Sequence, residues 1–206
     1  MSIVLQNLSI EIGGAQICQS LDLEFSTGQV WCVLGCNGVG KTTLLKTLAG
    51  LRPPNFGDIQ LNGRPVQRVA RRERAKQLSI LFQDSETLFP TTVLETVLTG
   101  RHPWISPLRG ESTHDRDKAV AALDRVGMTH LAGRSMASLS GGERRRVDLA
   151  AVFVQESRCV LLDEPGNHLD MHHQVAVLGG MVQQWKSQGG LVILVMHDVN
   201  LALRFS

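Results

Sequence analysis

The stretch WCVLGCNGVGKTTLLKTLAG, Trp31 to Gly50, constrains this chain more than any other. An apolar run breaks at Gly35, passes Gly38 and Gly40, and resumes with leucines at helical spacing. A core strand followed by a core helix needs no such interruption. Gly35, Gly40, Lys41 and Thr42 fulfil G-x-x-x-x-G-K-[ST], between a predicted strand and a predicted helix. Glycines let a backbone close around a phosphate chain with its N–H groups inward. The helix N-terminus adds positive potential. The candidate nucleotide contacts are therefore Gly35, Cys36, Asn37, Gly38, Val39, Gly40, Lys41, Thr42 and Thr43. Lys41 is suited to the β- and γ-phosphates, and the Thr42 hydroxyl to Mg²⁺. This motif specifies a nucleoside triphosphate and leaves kinases, GTPases and motors open.

The remaining pattern predicts an α/β fold of the P-loop class: a mainly parallel sheet core, N-terminal antiparallel strands and a helical insert. IVLQNLSIEI and ICQSLDLEF alternate like strands around the turn signal Gly13–Gly14. QVWCVLG, IQLNG, LSILFQ, RCVLLDEP and GLVILVM read as further strands. Helices are expected at TTLLKTLAG, Pro65–Gln77, DRDKAVAALDRVG, about 172–187, and from near Asp198. In DRDKAVAALDRVG the apolar stripe is read as Ala119, Val120, Leu123 and Val126. The whole chain, 1–206, reads as one domain, with a core of 1–83 and 158–206 and helices from about 84 to 157. No window of about 18 apolar residues could span a bilayer, and the N-terminus carries no signal-peptide pattern. The spacing of Cys18, Cys32, Cys36 and Cys159 fits neither a redox nor a zinc motif, which points to reduced thiols.

Two more constellations carry chemistry. CVLLDEP puts Asp163 and Glu164 at the carboxyl end of a buried strand, where α/β sheets bind ligands. Asp163 suits Mg²⁺ through water, and Glu164 suits a general base directing water at the γ-phosphate. In SLSGGERRRVDLA, Ser140 and Glu143 have capping-box spacing ahead of Val147, Ala150, Ala151 and Val154. That predicts a helix whose glycine-rich N-terminus is open to an anion.

The order GCNGVGKTT, Gln83, LSGGE, LLDEP, HLD and His197 resembles the ATP-binding subunit of ABC transporters over nearly the whole chain. The resemblance implies an ATPase that uses ATP and Mg²⁺ and works as a head-to-tail homodimer with two ATP at the interface. There the signature Ser140, Gly141, Gly142 and Glu143 covers ATP held by the partner chain. It further implies Gln83 as the Q-loop residue at Mg²⁺ and the attacking water, Asp170 as the D-loop acid, and His197 as the switch histidine. GRHPW, EPGNHLDMHHQ and MHDVNLALR look like the ATPases of iron-siderophore, haem and cobalamin importers. The partner would then be a transmembrane permease, with a substrate-binding protein engaged indirectly, at the cytoplasmic face of the cell membrane. Two alternatives are an ABC-type ATPase acting on nucleic acid or ribosomes, and a non-catalytic nucleotide-switched module. The net charge of +2 gives little attraction for a polyanion, so no nucleic acid partner is expected.

The chain departs from the family in several places. The adenine-stacking aromatic is replaced by Ile12 in a chain with no tyrosine, which weakens base recognition. Glu143 stands where glutamine is usual, Cys36 where proline is common, and Gly166 where threonine is usual. The sequence ends at Ser206, soon after His197, and reads as shortened relative to the family. His168, His172 and His173 have partial metal-ligand spacing, but His168 belongs to the HLD match. The basic residues from Arg64 to Lys76 read as a solvated helix face. Trp104 reads as part of a surface loop.

Overall fold

The computed structural model describes residues 1–83, 90–106, 108, 110–167, 169 and 174–205. β1 (Ser2–Ile12) and β2 (Ala15–Ser26) form an antiparallel pair. Gly13 and Gly14, at φ 56° and 80°, make the two-residue turn that only such positive dihedrals allow. β4 (Phe56–Leu61) and β5 (Arg64–Pro65) complete a sheet of order β2-β1-β4-β5. The second sheet contains β3 (Val30–Leu34), β6 (Leu78–Leu81), β7 (Cys159–Asp163) and β8 (Leu191–Met196) in the order β3-β8-β7-β6. All its neighbouring pairs are parallel.

Both faces of that parallel sheet are covered, and the sequence records it as unbroken apolar runs. Alternate residues of β7 and β8 point to opposite faces. Cys159, Leu161, Ile193 and Val195 join Leu5, Leu8, Ile59 and α1 (Lys41–Leu48) in one core. Val160, Leu162, Val192 and Leu194 face the other core, formed with α3 (Val93–Thr99), α4 (Thr113–Arg125), α5 (Gly141–Val154) and α6 (Gly179–Ser187). Each fully buried aliphatic side chain contributes about 1.5–3 kcal/mol against exposure. α7 (Val199–Phe205) begins at Asp198, whose carboxylate accepts the Asn200 and Leu201 amides.

Three local expectations are corrected. Pro65–Gln77 is not one helix: Arg64 and Pro65 pair with β4, a 3-10 turn covers Val66–Arg68, and α2 spans only Arg71–Gln77. Burial of Val66 and Val69 draws that segment onto the core. In α4, Val120 is exposed and Ala122 buried, so the stripe is Ala119, Ala122, Leu123 and Val126. The basic stretch is more than a solvated face. Arg64 pairs with Glu73 at 2.8 Å, and Arg72 donates to the carbonyls of Pro103 and Ile105. Of the helix expected at about 172–187, the described part is a π-helical turn, Gln174–Leu178, leading into α6.

The α3–α4–α5 packing is pinned by a buried charge. Arg101 donates to Asp115 at 3.0 Å, to Glu156 at 3.0 Å and to the Val154 carbonyl at 2.9 Å. Trp104 adjoins it and donates its indole N–H to the Gln155 carbonyl. The Ser112 hydroxyl, with Arg101 behind it, holds the Asp115 carboxyl down to about 2, from an ordinary 3.8. A depressed carboxyl stabilises the fold above its unfolded pKa and loses that contribution as pH falls toward the folded value. Asp115→Asn should therefore lower the urea midpoint at pH 7, and its deficit should shrink between about pH 4 and pH 2. A deficit of constant size across that range would show that the charge of Asp115 is not what stabilises.

Candidate functional site

Four motif-bearing segments leave the same edge of the parallel sheet. β3 runs into the glycine-rich loop, β6 into Gln83, β7 into Glu164 and β8 into His197. Parallel pairing sets their heights: Leu34 lies beside Met196, Val195 beside Asp163, and Leu162 beside Leu81.

Gly40 caps α1 at φ 99° without any side-chain cap, so the first-turn N–H groups stay available to a ligand. A side chain there would collide with Ile17, whose methyl lies 2.5 Å from an added Cβ. Asn37, Gly38, Gly40, Lys41, Thr42, Thr43, Gln83 and Glu164 line a cavity of about 410 Å³. Lys41 is buried, and its ammonium donates to the carbonyls of Gly35 (2.7 Å) and Cys36 (3.0 Å). It also stands 3.7 Å from Glu164. A larger hollow of about 500 Å³, lined by residues such as Leu51, Arg74 and Ile80, contains none of these motifs.

Glu164 is buried and adopts φ 44°, a left-handed conformation costing a non-glycine residue about 1–2 kcal/mol. Its N–H donates to the Val195 carbonyl, and its own carbonyl accepts from the Asn167 N–H. Its Oε2 accepts from Asn167 Nδ2 at 2.8 Å, with His197 Nδ1 at 3.7 Å. Next to it, both carboxylate oxygens of Asp163 are buried without a hydrogen-bond partner among the described residues. Burial pushes that carboxyl above the usual range, opposed chiefly by the Thr42 hydroxyl. A pair of orphaned acceptors beside a threonine hydroxyl fits a hard, oxygen-seeking cation.

Ser140 caps α5 in the predicted capping box: its hydroxyl accepts the Glu143 N–H, and Glu143 Oε2 accepts the Ser140 N–H at 2.8 Å. The Ser140 contacts hold the Glu143 carboxyl below its ordinary range. Ser140, Gly141, Gly142 and Glu143 do not line the 410 Å³ cavity, and Ser140 and Gly141 face solvent. Ile12 ends β1, is 40% exposed and does not line it either. Cys36 and Val39 lie on the exposed side of the loop. Asp170, with His168, His172 and His173, lies outside the described residues.

Sequence reasoning passed over two side chains at this site. Asn167 holds the Glu164 carboxylate, and Arg145 donates to the carbonyls of Asp163 and Glu164 at 2.8 Å each. Arg145 could have been found: it shares a helical face with the buried Leu149 and Val152, and a charge on such a stripe needs partners.

Residues 18–167 match the protein family described as ABC transporter. The chain belongs to the ABC transporter family. It is 40% identical to a hemin import ATP-binding protein of Myxococcus xanthus, over 100% of this chain and 79% of that one. It is 36% identical to the petrobactin import ATP-binding protein of Bacillus anthracis, over 98% of this chain and 74% of that one. Among solved structures, a metal-chelate type ABC transporter in an inward-facing conformation matches with TM-score 0.83 and 31% identity. That match covers 100% of this chain and 76% of the other. A dimeric bacterial ABC transporter cassette, 24% identical with TM-score 0.83 over 98% of this chain and 90% of its own, shares the fold. This chain is thus an ATP-binding, ATP-hydrolysing cassette that powers transport.

Cys36 offers a direct probe of the loop, since its thiol is exposed while its carbonyl accepts from Lys41. Maleimide should label it in nucleotide-free protein, and saturating ATP should slow labelling about tenfold or more. Equal rates with and without ATP would place the bound phosphates away from this loop.

Proposed function

We propose that the chain is the ATPase of an importer for an iron chelate, haem or cobalamin, acting as a head-to-tail dimer on a separate permease. The observation that carries the catalytic part is the meeting of Lys41, Thr42, Gln83 and Glu164 around one cavity. The named substrates of the hemin and petrobactin relatives support the substrate class. No helix among the described residues is long and apolar enough to cross a membrane, consistent with a separate permease. The assembly would sit at the cytoplasmic face, with the substrate-binding protein engaged only through the permease.

In this reading the loop Gly35–Thr43 wraps the triphosphate with backbone N–H groups, and Lys41 turns from its own loop carbonyls to the β- and γ-phosphates. Thr42, Asp163 and Gln83 supply the oxygens that would hold Mg²⁺, whose charge offsets that of the phosphates when it is bound. Glu164 accepts a proton from the attacking water, held in place by Asn167. His197 donates toward the γ-phosphate from the other side of Glu164. Positioning and electrostatics do most of this work. Residues 1–83 and 158–206 form the core, and the helices of about 84–157 carry the signature Ser140–Glu143 to ATP on the partner chain. Ile12 gives the base apolar contact without a stacking face.

Glu164→Gln should bind ATP as wild type does and hydrolyse it at least about a hundredfold more slowly, because an amide cannot take the proton of water. The measurement is turnover at saturating Mg²⁺-ATP; a rate near wild type would remove Glu164 from the mechanism.

Sites built from two chains should be separable by mixing. Lys41→Ala removes a phosphate contact, and Gly141→Asp sets a side chain and a negative charge against the partner's γ-phosphate. Each mutant homodimer has two damaged sites. In the mixed dimer both defects fall on one site and the other is intact. Doubly tagged mixed dimers carrying Glu164→Gln should therefore trap up to one ATP each. Failure of a verified mixed dimer to trap any would mean that each chain closes its own site.

A further inference from the structure

We propose that Arg145 is a positioning residue for hydrolysis, holding the Glu164 turn and the Gln83 loop in one frame carried by α5. The proposal rests on the reading of Glu164 as general base and Gln83 as a water contact.

Arg145 is 3% exposed, in the second turn of α5. Nη1 donates to the Phe82 carbonyl at 2.6 Å and the Gln83 carbonyl at 3.3 Å. Nη2 donates to the carbonyls of Asp163 and Glu164, and Nε to that of Pro165 at 3.2 Å. These acceptors are all main-chain carbonyls at the ends of β6 and β7. The guanidinium therefore fixes backbone positions, and with them the origins of the Gln83 and Glu164 side chains. Few other groups could do so. A guanidinium has five N–H donors in a rigid plane, whereas an ammonium has three on one atom and a glutamine amide has two. The two loops lie at the ends of neighbouring strands, β6 and β7, and one fork spans both.

The turn at Glu164 needs such support. Its φ of 44° is unfavourable, and persists where surrounding contacts over-determine it. The Glu164 carbonyl, bonded by Arg145 and by the Asn167 N–H, is one of those contacts. Without the fork the turn can relax, and the carboxylate shifts relative to the attacking water. Misplacement by about 1 Å costs on the order of a hundredfold in rate. ATP affinity should change little, because Lys41 is held by the carbonyls of Gly35 and Cys36, whereas Arg145 grips those of Phe82, Asp163 and Glu164.

The test compares wild type with Arg145→Gln and Arg145→Lys in ATPase assays over a range of ATP concentrations. Arg145→Gln should lower kcat about tenfold or more with KM within about threefold, and Arg145→Lys should fall between it and wild type. Placed together with Glu164→Gln, either variant should still trap ATP as Glu164→Gln alone does. A folded Arg145→Gln with kcat within about twofold of wild type would overturn the proposal. So would loss of ATP trapping in parallel with kcat, which would make the residue a structural prop. If Arg145→Gln does not fold, Arg145→Lys decides by the same two readouts. A Glu164→Gln protein that hydrolyses like wild type would sink the general-base reading, and this proposal with it. A slow Glu164→Gln beside a fast Arg145→Gln sinks this proposal alone.

Discussion

The site depends on the register of four parallel strands whose carboxyl ends share one edge. β3 carries the glycine-rich loop and β7 carries the acids, but β8 lies between them. Two strand spacings put those ends about 10 Å apart. Lys41 is the side chain that crosses this gap, reaching to 3.7 Å from Glu164. A register slip of one residue in β8 would turn its side chains to the wrong core and shift His197 away from Glu164. Two apolar cores, one on each face, are what hold that register.

Charge follows from the same geometry. Lys41 and Glu164 are both buried, and a buried charge needs a partner. At their separation, with an effective dielectric near 20, the gross attraction is about 4 kcal/mol before desolvation is counted. Lys41 adds two loop carbonyls, and Glu164 adds the Asn167 amide. Lys41 and Glu164 are therefore each satisfied by protein groups rather than left as loose charges. A ligand that offered Lys41 several negative oxygens at once would compete with these contacts. Asp163, beside the Thr42 hydroxyl and with no hydrogen bond of good geometry to its buried carboxylate oxygens among the described residues, is the group in the site with most to gain from a cation.

The parts legible in the sequence were those written in local spacing. The glycine pattern before Lys41, the capping box of Ser140 and Glu143, and the unbroken apolar runs of β7 and β8 each state a local physical requirement. Contacts made across the fold were not legible. Pro65–Gln77 looked helical because its interior is rich in good helix formers, yet Val66 and Val69 are claimed by the core and Pro65 by β4. Arg72 looked solvated because nothing nearby in sequence offers it an acceptor; the Pro103 and Ile105 carbonyls come from 31 and 33 residues away. Arg145 was masked by its neighbours, since a run of three arginines reads as surface charge until the helical phase of the middle one is compared with Leu149 and Val152.

α5 is the element where these threads join. Its first turn presents the signature to solvent, its second turn sends Arg145 into the sheet edge, and its later turns pack on α3 and α4. Just past its end, Gln155 donates to the Ala75 and Leu78 carbonyls beside α2, and the Val154 carbonyl takes a bond from Arg101. One helix therefore contacts the Glu164 turn at one end and the Arg101 cluster at the other. A packed helix transmits displacement as a unit, because interiors at crystal-like density do not absorb shifts locally. Displacement of the exposed Ser140 end is therefore carried both to the Glu164 and Gln83 carbonyls, through Arg145, and to the α2 side, through Gln155. A partner docking on the Ser140 end of α5 would thus be coupled to the Glu164 turn through one packed helix.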